Sequence, residues 1–157
     1  MGAMQDNRRA AFTVVAVLAA IAAVTAFFTV WGVPSSRAPV TFLEYRTGGF
    51  GMCEDFGEYQ VHVDKLEVVR GDSCRFSPYT TTEVSQGDMD RFLKALDKSG
   101  FRRWHSHYSD ITILDGGGFY LEVKFADGKT QTVNTLNRNP PRIQAFRDAL
   151  AILHIPR

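Results

Sequence analysis

The chain lacks an excess of either charge. Its 157 residues carry 18 Lys and Arg against 17 Asp and Glu, and no basic stripe stands out. Counterion-driven nucleic-acid binding needs clustered positive charge, so no nucleic-acid partner is expected. Internal repeats and low-complexity tracts are missing too. There is no Gly-x-Ser-x-Gly elbow. There is no Gly-Lys-Ser/Thr phosphate loop, and no dinucleotide motif in a strand–turn–helix setting. The glycine-rich runs "TGGFG" from Thr47 and "DGGGF" from Asp115 are read instead as loops that permit positive φ. No cofactor is called for. Glu54, Asp55 and Glu58 share one loop. A paired acid and base need a cleft that separates their pKa values, so none of the three is read as catalytic.

The largest local absence is of charge between Ala10 and Val33, "AAFTVVAVLAAIAAVTAFFTVWGV". About 20 apolar residues suffice to cross a bilayer as a helix. Residues 10–33 are therefore expected to be a transmembrane helix in contact with lipid, with Trp31 near its far end at headgroup level. Arg8 and Arg9 precede it, which orients residues 1–9 to the cytoplasm and exports the rest. Cleavage as a signal peptide after Val24-Thr25-Ala26 is the alternative, but "FFTVWGV" continues the apolar run past that point. Removing Arg8, Arg9 and Asp6 leaves 16 residues of each sign for the exported part.

Cysteine is scarce. Cys53 and Cys74 are the only two, and both fall in the part expected outside the cytosol. In an oxidising compartment such a pair reads as a disulfide. It would close a loop of roughly 20 residues, worth about 3 kcal/mol. A free, reactive Cys53 needs a nearby cation, helix N-terminus or metal, whereas its neighbours are Glu54 and Asp55.

What is present describes one small domain at 40–157, joined by a spacer, "PSSRAP", at 34–39. "VTFLEYRT" from Val40 reads as a strand. "EYQVHV" and "LEVVR" read as a hairpin about Asp64-Lys65, with Val61 against Val68 and Tyr59 against Arg70. Ser85 is an N-cap with Asp88 three residues on. Met89, Phe92, Leu93 and Leu96 then mark one helical face, and Gly100 suits the left-handed stop. Phe101 and Trp104 are expected on the core. A second hairpin runs from Phe119 to Thr135 about Asp127-Gly128. Pro141 is expected to open a last helix, with Ile143, Phe146, Leu150 and Leu153 on its buried side. The expected class is α+β: a small antiparallel sheet of two hairpins plus one strand, with two helices packed on one face.

This order, and the phrase Arg46, Gly48, Gly49, Phe50, resemble the emfourin-like bacterial domains, typified by an inhibitor of a thermolysin-type metalloprotease. "DMDRFLKALDKSGF", "FYLEVKFADGKTQTV" and "PPRIQAFRDAL" are similar to the elements that follow in that family. The likeness spans most of Val40 to Leu153. The paired cysteines look more like a related group of uncharacterised bacterial domains with a Gly-x-Cys-x-x-Tyr loop, from whose spacing "GMCEDFGEY" departs. The resemblance implies a non-enzymatic binding role, with protease inhibition as a special case.

Two groups of residues are candidates for function. Phe50, Met52 and Phe56 on the glycine-rich loop are either core or an apolar patch for a protein partner of the cell envelope. His105 and His107 stand at i and i+2, so on a strand both imidazoles face one way and could share an ion with Asp110. That would make the protein a metal-binding envelope enzyme or sensor. The first reading, an extracytoplasmic interaction domain, is preferred.

Overall fold

The computed structural model describes residues 35–49, 57–72, 77–112 and 117–156. Seven strands form one sheet: β1 (Val40–Gly49), β2 (Gly57–His62), β3 (Glu67–Asp72), β4 (Ser77–Glu83), β5 (His107–Ser109), β6 (Gly117–Phe125) and β7 (Thr130–Leu136). Helix α1 (Gln86–Ser99) and a 3-10 turn (Phe101–Arg103) lie between β4 and β5, and α2 (Ile143–Ile152) follows β7. The strand order is β4-β3-β2-β1-β6-β7-β5. Every pairing is antiparallel except β5 with β7, which is parallel.

This corrects the expected architecture. The sheet has seven strands, not five, and is mixed. The helices pack on each other and share one core with the sheet, Phe146 meeting Tyr45 of β1. The extra strands have visible causes. In β4, "SPYTTTE", residues 78–83 are all exposed, so it carries no apolar alternation. It also has an irregularity at Pro78-Tyr79, where three residue steps of β4 match two of β3. Pro is confined to edges and bulges because it has no N–H to give. β5 is only three residues long.

The expected membrane helix also has to be corrected. Among the described residues no helix is long and apolar enough to cross a membrane. Helix α1 has 14 residues and α2 has 10, roughly 21 and 15 Å at 1.5 Å per residue, against about 30 Å of hydrocarbon. Residues 10–33 lie outside the described residues, and the membrane assignment has no support. The Cys53–Cys74 bridge is likewise unsupported. No disulfide stands at bonding distance among the described residues, and both cysteines fall outside them.

The core follows from two periodicities meeting. Leu43, Val61, Leu121, Val123 and Val133 lie on one sheet face by period-two alternation and are fully buried. Met89, Phe92 and Leu96 of α1, and Phe146, Ala149 and Leu150 of α2, close that face at helical spacing. Ser85 caps α1, its Oγ accepting from the Asp88 N–H at 3.1 Å. Gly100 ends the helix at φ 77°. The hairpin register is the expected one, Tyr59↔Arg70 and Val61↔Val68. Asp64-Lys65 is a poor two-residue turn, and the reversal instead places Leu66 in the left-handed region at φ 55°. Trp104 is buried against Phe119 and Phe146, its indole N–H donating to the Pro141 carbonyl at 3.0 Å. Pro141 does not open α2. Arg142 turns left-handed (φ 58°) and the helix starts at Ile143.

Residues 35–39, read as a spacer, are held against the domain. The Arg102 guanidinium donates to the carbonyls of Ser36 and Ala38 at 3.0 and 2.8 Å. It also lies 5.0 Å from the centre of the Phe125 ring. Ser35 Oγ donates to buried Gln131 at 2.7 Å, and Gln131 donates to the Phe101 carbonyl at 2.9 Å. Buried polar groups are tolerated when paired, and this set is paired.

The glycines of "TGGFG" and "DGGGF" that the structure describes are strand residues, not left-handed loop residues. Gly48 pairs with Gly118, and Gly49 with Gly117. A Cβ on Gly118 would lie 1.9 Å from the Thr135 carbonyl oxygen, which belongs to backbone and cannot step aside. Gly87 in α1 has no neighbour closer than 4.0 Å. Thermal unfolding should therefore separate the two alanine variants. Gly118→Ala is expected to cost about 1–3 kcal/mol through overpacking. Gly87→Ala should be neutral or slightly stabilising.

Candidate functional site

Alternation makes the two sheet faces different. The helix-covered face is the core. The other face carries Phe42, Glu44, Arg46, Glu58, Gln60, Tyr120, Glu122 and Lys124, by their cross-strand pairings. Glu44 stands directly opposite Glu122, a repulsive arrangement on its own. Arg46 offsets it, bonding the Glu44 carboxylate and lying 5.3 Å from the centre of the Tyr120 ring. Tyr120 donates its hydroxyl to Glu122 at 2.7 Å. Lys124 Nζ sits 3.4 Å from Glu122 and 4.9 Å from the centre of the Phe42 ring. The charges of this face thus answer one another.

The β4 edge of the sheet is different. The Val84 N–H donates to the Leu66 carbonyl at 2.7 Å. Backbone groups alternate sides along a strand, so those of Thr82 and Thr80 also point at β3. Those of Thr81 and Glu83 point away from the sheet. No described strand lies beyond β4, so this row of donors and acceptors is open.

Beside that row, on the helix side, lies a cleft of about 330 Å³. Its floor is apolar: Tyr59, Val68, Leu153 and Ile155 are each no more than 6 % exposed. Its rim is polar, with Arg70, Ser85, Asp88 and His154. Its lining thus combines a buried apolar floor with polar and charged groups at the rim, a combination that can receive a side chain and fix its orientation. Four stretches of sequence build it. Tyr59 comes from β2, Val68 and Arg70 from β3, residues 82–88 from the end of β4 into the start of α1, and residues 152–155 from the end of α2 and the turn after it. The chain turns there because Leu153 closes α2 and His154 takes φ 56°. This sends Ile155 back to the core at 2 % exposure.

The rim is unevenly charged. Asp88 is engaged by the Ser85 hydroxyl at 2.7 Å and by Arg91. The Ser85 bond, then Arg91, holds its carboxyl below the usual carboxylate range. Arg70 is exposed, with its guanidinium 5.8 Å from the centre of the Tyr59 ring. No ion pair to Arg70 is found among the described residues.

The residues singled out from the sequence are placed as follows. Phe50, Met52 and Phe56 lie outside the described residues, as do Cys53 and Cys74. His107 is exposed at the start of β5, and His105 is half-buried before it. The His105 N–H donates to the Tyr108 hydroxyl at 3.0 Å. Asp110 is held by Thr112, whose hydroxyl and N–H both donate to its Oδ1 and keep its carboxyl below the usual range. Among the described residues no group of three or more His, Cys, Asp or Glu comes together to hold a metal ion. The edge and its cleft went unread in the sequence because β4 has no apolar signature and the cleft's parts are scattered. The one available signal was Arg70, placed opposite Tyr59 on an otherwise apolar hairpin face.

No family model matches the chain, and no curated protein matches it.

The bare face yields a pH prediction. Its hydrogen bond to Glu122, with burial second, pushes the Tyr120 hydroxyl from 10.0 up to about 12. A raised pKa means stability that is complete below pH 10.0 and lost as pH rises through about 12. Tyr120→Phe should cost about 1 kcal/mol at neutral pH. In denaturant titrations the gap from the parent should close above about pH 10, and a gap constant with pH would contradict the assignment.

Proposed function

We propose that this domain is a binding module rather than an enzyme, and that it takes up an extended segment of a protein partner as an eighth strand on β4. The observation that carries this reading is the outward backbone row of Thr81 and Glu83 running beside a cleft with an apolar floor and a polar rim. Strand addition draws affinity from main-chain hydrogen bonds and selectivity from pockets that receive alternate side chains. Both parts are present here, side by side. A segment added to β4 would place every second side chain on the helix face, at the cleft. The bare sheet face supports the reading by contrast, since its charges are already matched. The resemblance to emfourin-like domains points to a non-enzymatic binding role as well, and an inhibitor that inserts an edge into a protease is a special case of it.

An exposed edge is also a hazard for aggregation, which proteins restrain with prolines, bulges and short strands. β4 carries Pro78 and an irregularity at its start, where Tyr79 lies against Gly71 of β3. That end of the strand is blunted. The backbone groups left open to a partner are those of Thr81 and Glu83.

The test uses a proline. At position 81 it removes an outward N–H and leaves the ladder to β3 intact, as edge strands tolerate. Thr81→Pro should unfold within a few degrees of the parent yet lose capture of linear peptides selected on the parent from a displayed random library. Equal capture by parent and variant would contradict strand addition.

A further inference from the structure

We infer that the segment bound at β4 carries a carboxylate side chain that Arg70 reads, two residues from an apolar side chain that fills the cleft. The inference rests on the strand-addition reading and deepens it by naming the chemistry of the ligand.

The placement follows from register. Arg70 pairs with Thr80, and Val68 with Thr82. Arg70 lies directly across from buried Tyr59, so its side chain belongs to the helix face, as do those of Thr80 and Thr82. A strand added outside β4 sits two strand spacings from β3, roughly 10 Å. Only the short side chain of Thr80 stands between. An extended arginine and an aspartate or glutamate opposite Thr80 can span that distance together. The next inward position, two residues along, falls opposite Thr82, a residue that lines the cleft over Val68.

Charge decides between ligands. Arg70 has no ion pair among the described residues, whereas Asp88 across the cleft is already engaged by Ser85 and Arg91. An acidic side chain beside Arg70 therefore meets an unanswered cation, and a basic one meets repulsion. Guanidinium and carboxylate also match in a bidentate geometry that lysine does not reproduce.

The experiment selects linear octapeptides from a displayed random library on the full chain, and separately on Arg70→Glu and Thr81→Pro. Peptides from the parent should carry Asp or Glu two positions from an aliphatic or aromatic residue. By fluorescence anisotropy, replacing that acid with Asn should weaken binding about ten-fold. Arg70→Gln should weaken the parent peptide similarly, and selection on Arg70→Glu should exchange the acid for Lys or Arg. Circular dichroism and melting of each variant show that the fold is kept. Peptides that need Thr81 but show no acidic preference, or none that changes with Arg70, would overturn this inference alone. Peptides indifferent to Thr81→Pro, or no enrichment at all, would overturn the strand-addition reading and this inference with it.

Discussion

The crossing made by α1 constrains everything else in the domain. β4 and β5 are consecutive strands at opposite edges of the sheet. Six strand spacings separate them, roughly 29 Å. Helix α1 covers roughly 21 Å of that with its 14 residues, and the 3-10 turn and the segment to His107 cover the rest. A helix laid across a sheet must bury one stripe, and Met89, Phe92 and Leu96 supply it. One face of the sheet is thereby closed, with α2 beside α1. Nothing described covers the other face, and it manages its own charges through Arg46, Tyr120 and Lys124.

The same crossing explains where the proposed partner strand would dock. Because the chain leaves β4 directly into α1, no later described strand returns to pair with β4. The start of α1 and the turn after α2 then stand over the β3–β4 end of the sheet without filling it. The cleft is the space that remains. Its floor is core-like and its rim is polar, so burial of the proposed partner's side chain there would extend the hydrophobic core by one residue. On the proposed reading, the open backbone row beside it would supply direction and register.

Much of the fold could be read from residues, and the failures have physical reasons. Ser85, Asp88 and Gly100 mark both ends of α1 because capping chemistry is local. The Tyr59↔Arg70 register was readable because one hairpin face is apolar and a slip would invert it. β4 was not readable, since a polar edge strand has no buried face to print on the sequence. β5 is too short to show any period. Gly117 and Gly118 looked like loop glycines, and only the approach of Thr135 shows why glycine is needed inside β6. Pro141 looked like a helix start, but Trp104 holds its carbonyl and Arg142 makes the turn. The cleft joins four separate stretches, and no local pattern announces such a meeting.

Amide exchange along β4 tests the account most directly. With the full chain free in solution, the N–H groups of Thr80, Thr82 and Val84 should exchange slowly, because they bond β3 and the Leu66 carbonyl. Those of Thr81 and Glu83 should exchange nearly as fast as in an unstructured peptide. Slow exchange at Thr81 and Glu83 in the free chain would mean that the edge is already occupied, and the account would fail.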